Sequence, residues 1–458
     1  MRNLLLASAT GALAFAIWAA QAQPVPGLLD DMEQPPAGYS GPLFQPSYDF
    51  PAAMPAPEPR PWEAIDYEAE PAKFMEALLL YFLEGQDRGR WTVGSNSVRK
   101  WYHMPWMGPG GTGREFVSGL TSERRSRPGE LGPNQAKCRQ NWAVGFYNPV
   151  GGHALGQIWS QVAAGQSDEP DLSKLPFPVG TVVAKVLYTE ADENDTRPIG
   201  QTASLLAGAP TIEARIIEDP DPADTACPQP EKNGKPAPRV ATTLRLLQLD
   251  IAVKLPNPRN RSEWVFGTFI YDGRLPGSDP WTKLRPVGVM WGNDPGLSDQ
   301  MAASGTKPAS SIVLSDFGLG RAFGRGNRLN GPVDNPKSSC LSCHSTAQSP
   351  SGAPMAPGEN LAWDKGASCW FRDLDPVTAF GKLPTATQCG VDSASLKSLD
   401  YSLQLALGVR NARIAAANRN PGGINLFGLR LFGRPEVRTD RVETIDGVRS
   451  FPVTRDED

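Results

Sequence analysis

Histidine is nearly missing from this chain: His103, His153 and His344 are the only three among 458 residues. Any mechanism that needs several histidines at once is therefore excluded. Charge of one sign is not in excess, because 45 Lys and Arg face 49 Asp and Glu, a formal net charge of −4. That balance argues against a dedicated nucleic-acid binder and against a polybasic membrane anchor. Long apolar runs are missing after the uncharged stretch 4–20, so no later segment reaches the ~18 apolar residues expected of a transmembrane helix.

Proline and glycine, in contrast, are abundant, with 45 and 46 residues or about a fifth of the chain. Much loop and short strand is expected, and few long helices. Hydrophobic residues at 40% and charged residues at 21% place the chain among globular proteins. Its length suits two or three domains with sizeable cores.

Residues 1–22 read as an export signal. Arg2 supplies the basic start, 4–20 the apolar region, and Ala20-Gln21-Ala22 a cleavage site. No cysteine lies near that site, so lipoprotein acylation is not expected. The expectation is a periplasmic protein with no integral membrane segment after signal cleavage, in a compartment where cysteines pair or carry cofactors.

Residues 23–62 hold prolines 24, 26, 35, 36, 42, 46, 51, 55, 57, 59 and 61, which predicts an extended linker or strap. A helix should follow from Pro71, with Phe74, Leu78 and Phe82 on its apolar face and Gly85 at its stop. The stretch 91–160 is rich in Trp, and 150–162 reads as a short helix carrying His153, Gln157 and Trp159. From about 179 to 292 the hydrophobic period becomes two. Val182, Ala184 and Val186, then Leu247, Leu249, Ile251 and Val253, then Trp264, Phe266, Thr268 and Ile270 each alternate with their neighbours. The fold class implied is α+β. A β-rich antiparallel body, sandwich or open barrel, covers 63–330, and a loop-rich, partly helical segment covers 331–430. Leu396, Leu399, Leu403 and Leu407 predict a helix in that segment ending near Gly408. Residues 431–458 read as a charged tail.

The chemistry-bearing motif is Cys340-Leu341-Ser342-Cys343-His344. C-x-x-C-H is the attachment pattern of a c-type haem. Two cysteines three apart on a helical turn reach both vinyl groups of one haem edge, and the adjacent histidine is directed under the iron. A thioredoxin-like pair would need a preceding strand, but 330–336 reads as loop. A zinc site would need about four ligands in a closed set, and no second C-x-x-C or H-x₃₋₅-H accompanies this one.

The residues around this motif resemble a c-type cytochrome. Trp101-Tyr102-His103-Met104-Pro105-Trp106, the segment 141–147, and 328–348 are also similar to large, exported, single-haem bacterial proteins of the cytochrome c family. The resemblance implies one covalent haem c, electron transfer and a periplasmic redox partner protein. One departure matters: neither Met nor His occurs beyond residue 355, where small c-type cytochromes usually place a distal Met.

Met355 is thus the only downstream candidate for the sixth ligand, in Pro354-Met355-Ala356-Pro357, 11 residues beyond His344. Such a stretch spans up to about 36 Å, enough to round a haem edge. Met104, Met107, His103, His153, Met290 and Met301 are the upstream candidates, and an open position is the third possibility. An open iron would suit a haem enzyme, peroxidase-like or oxidising a small molecule, with His103 or His153 as the nearby proton shuttle. A ligand sensor is a further alternative.

Four more cysteines allow three pairings, of which Cys369–Cys389 and Cys138–Cys227 are favoured. Arg321, Arg325 and Arg328, set among glycines just before the motif, are candidates to pair the haem propionates. Trp363 and Trp370 are candidates for the pocket wall.

Overall fold

The computed structural model describes residues 32–107, 114–198, 200–219, 227, 231–232, 235–236, 238–256, 261–315, 323–358, 360–381, 389–390, 394–419, 444–445 and 448–449. The export signal, Arg321 and most of the charged tail lie outside them.

Five α-helices are present among the described residues: α1 (Pro71–Leu83), α2 (Pro149–Ala163), α3 (Asp299–Ala303), α4 (Cys340–His344) and α5 (Leu403–Arg419). The first begins on Pro71, buries Phe74, Met75, Leu78, Leu79 and Phe82, and is followed by Gly85 at φ +70°. Pro at the first position costs no helical hydrogen bond, and Gly takes the left-handed conformation without strain. The second is capped by Asn148, whose side chain accepts from the Gly151 amide.

Eight antiparallel strands make the main sheet. They are β1 (Thr121–Ser122), β2 (Asn141–Tyr147), β3 (Val182–Thr189), β4 (Thr211–Ile217), β5 (Arg239–Lys254), β6 (Trp264–Tyr271), β7 (Leu284–Met290) and β8 (Ser311–Val313). Their order is β1-β2-β3-β5-β6-β7-β8, with β4 paired to the first half of β5. The body is therefore β-rich, as expected. Eight of its described strands form one sheet whose end strands β1 and β8 do not pair with each other, and Glu231–Lys232 pairs with Lys235–Pro236 apart from it, so no second large sheet completes a sandwich among the described residues.

Register sorts the side chains into two faces. The row Phe146–Ala184–Ile251–Gly267–Val289 points to one side. There α1 packs, and a Cβ on Gly267 would stand 2.3 Å from the Met75 sulfur, so the glycine permits the close approach. The adjacent rows point to the other side. These are Gly145–Lys185–Asp250–Thr268–Gly288 and Tyr147–Val183–Ala252–Phe266–Met290.

That second face is covered by the C-terminal segment. Leu329 approaches Gly288 and Gln404 approaches Gly145. Leu329, Val333, Leu341, Ala347, Leu399 and Leu405 share one continuous core with the sheet. A small satellite core of Ala353, Cys369, Trp370, Phe371 and Phe380 sits beside it.

The helix expected from Leu396 starts later. Lys397–Ser398 pairs with Gln348–Ser349 as a short strand, and Asp400 and Tyr401 take φ +49° and +63°. Residues in that left-handed region cannot continue a right-handed helix, so α5 begins only at Leu403. Gly408 lies inside it rather than at its end.

Candidate haem site

The helix α4 is a single turn fixed at its start by reciprocal hydrogen bonds. The Ser342 amide donates to Ser339 Oγ at 3.2 Å and the Ser339 amide donates to Ser342 Oγ at 2.8 Å. This capping box satisfies two amides that the first turn would otherwise orphan. Leu341 is fully buried in the core and anchors the turn. Cys340 and Cys343, three apart, consequently share one side of the turn.

Both thiols are unpaired and half-buried, whereas the other four cysteines form Cys138–Cys227 and Cys369–Cys389, the favoured pairing. Burial pushes the Cys343 thiol up to about 12 and raises Cys340 well above the ordinary thiol range. A thiol–disulfide exchange centre needs the opposite, a depressed thiol pKa.

His344 donates from Nδ1 to the Tyr401 carbonyl at 2.8 Å. A carbonyl can only accept, so Nδ1 carries the proton and Nε2 keeps its lone pair. Burial lowers the ring to about 4, which leaves it neutral near neutral pH. Phe266 of β6 packs against the imidazole with ring centroids 4.7 Å apart. A neutral imidazole oriented through its second nitrogen is the form that ligates a metal.

The Tyr401 carbonyl is itself held. Asp400, fully buried, accepts from the Phe177 amide at 2.7 Å, Trp264 Nε1 at 2.8 Å and Lys254 Nζ at 2.5 Å. The Tyr401 hydroxyl donates to the Leu374 carbonyl at 2.7 Å.

The covered face of the sheet is charged near α4. Lys185 lies 3.6 Å from Glu123 and 3.7 Å from Asp250, and Asp250 also accepts from Thr268 Oγ1 and Gln248 Nε2. Burial alone would lower Lys185, but Glu123, Asp250 and Asp334 outweigh it and raise its pKa. Burial pushes Asp250 up to about 6 against the pull of Lys185, and Asp334 adds to the rise. Lys185 and Asp250 keep 24% and 26% exposure at the middle of a covered sheet face, so solvent reaches this part of it.

The other sequence candidates fall elsewhere. His103 is fully buried, accepts from the Ser47 amide at 2.9 Å and packs on Phe44 and Phe146. Phe146 points to the face opposite Phe266, so the sheet stands between His103 and His344. His153 meets the Pro51 carbonyl at 2.9 Å, against the strap. Arg325 pairs with Asp299 at 2.6 Å. Arg328 donates to the carbonyls of Asn293, Asp294, Leu297 and Arg325 at 2.7–3.0 Å, and burial lowers it to about 10. Arg328 is thus held by four backbone carbonyls, and Arg325 holds Asp299 and the Leu361 carbonyl through Nε and Nη2. Trp370 donates to the Pro354 carbonyl at 2.8 Å and belongs to the satellite core, beside which Trp363 packs tilted against Phe371. Met355, half-buried, follows that pinned Pro354. Among the upstream candidates, Met104, Met107 and Met290 are buried and Met301 is 44% exposed.

Sequence reasoning missed Phe266, Tyr401, Asp400, Lys254 and the Lys185 cluster. Charged residues inside otherwise apolar strands were the available signal for Lys185 and Asp250, and Lys254 closes the same apolar strand as Asp250. No local pattern announces Tyr401, which is 57 residues from His344.

No protein-family model matches the chain, and no curated protein and no solved structure matches it either.

Proposed function

We propose that the chain is an exported, periplasmic c-type cytochrome that carries one covalent haem and works in electron transfer with a separate redox protein. The observation that carries this reading is the set of groups at α4. Two unpaired, protonated thiols lie three apart on one capped turn, beside a neutral imidazole whose Nδ1 proton is already committed to a carbonyl. The remaining cysteines are all paired, which fits an oxidising compartment.

Cys340 and Cys343 would hold the haem edge through thioethers, and His344 would ligate from one side through Nε2. Bound there, the haem would supply a one-electron iron couple. Phe266 fixes the plane of the imidazole and keeps water from that side of the ring. Met355, on the loop pinned at Pro354, is the residue that would supply a second protein ligand to the iron.

The test is absorption spectroscopy of protein exported from a host with cytochrome c maturation, ferric and ferrous, with and without carbon monoxide. Expected are one covalent haem per chain, its loss in the Cys340→Ala/Cys343→Ala variant, and no shift with carbon monoxide. A Met–iron charge-transfer band should be present and should vanish in Met355→Ala. A high-spin spectrum that shifts with carbon monoxide would replace the electron carrier by an open-site haem enzyme or ligand sensor. Absence of haem after competent maturation would overturn every haem reading.

A further inference from the structure

The turn that presents the Tyr401 carbonyl to His344 is built from two consecutive residues at positive φ, Asp400 and Tyr401. Neither is Gly, and although Asp tolerates this region better than most residues, the bulky Tyr401 costs conformational energy that surrounding contacts must offset. Those contacts converge on the Asp400 carboxylate. Lys254, on β5, is 1% exposed and reaches Asp400 Oδ2 at 2.5 Å. The Phe177 amide donates to the same oxygen, and Trp264 Nε1 donates to Oδ1. Ser398 Oγ accepts from the Asp400 amide at 3.1 Å. Every one of these partners lies outside the turn, and two stand on neighbouring sheet strands.

We infer that Asp400 and Lys254 are positioning residues for the axial histidine: their buried ion pair holds the left-handed turn whose carbonyl fixes the His344 Nδ1 proton. This inference rests on the haem reading above. Its consequence is electronic as well as geometric. A firm Nδ1–H···O=C bond makes the imidazole a stronger donor, which favours the oxidised metal and lowers the potential. Loosening the turn weakens that bond and raises the potential, with the thioethers left in place.

The test uses full-length, haem-loaded protein and two variants. Asp400→Asn keeps the shape but removes the charge and turns one of the two accepting oxygens into an NH2. Asp400→Asn/Lys254→Met also removes the cation that the first variant leaves with Glu263 alone at 3.6 Å, because a buried charge that loses its nearest partner is strongly destabilising. Expected for each variant that folds are wild-type haem content, an upward shift in reduction potential, and faster deuterium exchange of the His344 Nδ1 proton. A purely structural role would move thermal stability without moving the last two. Wild-type potential and wild-type exchange in a folded variant would overturn the inference while leaving the haem reading intact. A wild-type protein without haem would instead remove the reading on which it rests.

Discussion

Gly408 offers a test in which two well-characterised effects oppose each other. It sits within α5, where glycine is about 1 kcal/mol worse than alanine. Helix propensity alone therefore predicts that Gly408→Ala stabilises the protein. The packing predicts the reverse. A Cβ at this position would lie 2.7 Å from the Pro105 carbonyl oxygen, 3.2 Å from Trp159 Cζ2 and 3.6 Å from Met104 Cγ. The first neighbour is backbone and the second is the ring of a fully buried Trp, so neither yields cheaply.

Overpacking of this kind costs about 1–3 kcal/mol. Set against the propensity gain, the expected net change is a loss of about 1 kcal/mol. Urea unfolding with an unchanged m-value reads it directly. Ala416→Gly, further along α5, calibrates the propensity term and should cost about 1 kcal/mol. If Gly408→Ala raised stability by the full propensity value, the close approach of α5 to the 104–107 segment would be refuted.

Other expectations concern the ionic and covalent supports. Asp250→Asn should flatten the stability profile at low pH. The native carboxyl titrates near 6 and the unfolded one near 4, so the wild type binds the extra proton between these values and loses stability as pH rises through them. The variant should gain on the wild type by up to about 3 kcal/mol across that window, as read by urea unfolding from pH 4 to 7, and parallel profiles would contradict it. Removing Cys138–Cys227, which spans 89 residues, should cost more than removing Cys369–Cys389, which spans 20. Loop entropy gives about 5 and about 3 kcal/mol, testable on double Cys→Ala variants, and a reversed order would argue against that entropic origin. Arg328→Lys should destabilise by about 2–3 kcal/mol, because one ammonium cannot serve the four carbonyls that the guanidinium reaches. A thermal scan that leaves the midpoint unchanged would show those hydrogen bonds to be dispensable.

Elements with local punctuation were readable in the sequence. Pro71 and Gly85 bracket α1, and the two-residue period of 182–188, 247–253 and 264–270 marks strands with one apolar face. Alternation shows that a face is covered but not what covers it, which is why a sandwich and a single sheet under loops could not be told apart. The Leu396–Leu407 spacing suggested a longer helix because hydrophobic period carries no information on the φ of Asp400 and Tyr401. The three arginines before the motif were read for their charge. For Arg328 the deciding fact was non-local, since its backbone acceptors at 293–297 lie more than thirty residues away. The helical turn of Cys340–His344 was legible from the motif's spacing, and the residues that orient His344 were not.

Those orienting residues explain why a five-residue motif sits on so large a body. The turn α4 is too short to hold an imidazole by itself. One wall of His344 is Phe266 on β6, and its hydrogen-bond acceptor is braced by Lys254 on β5 and by Trp264 on β6. Leu341 and Leu399, which flank the site in sequence, bury themselves against the same sheet. Strand register is rigid because a slip of one residue would turn Phe266 and Lys254 to opposite faces from those they now occupy. The sheet thus sets the position of His344 through contacts distant in sequence, 146 residues for Lys254 with Asp400 and 136 for Trp264 with Asp400, a precision that a loop-rich segment has no means to provide by itself.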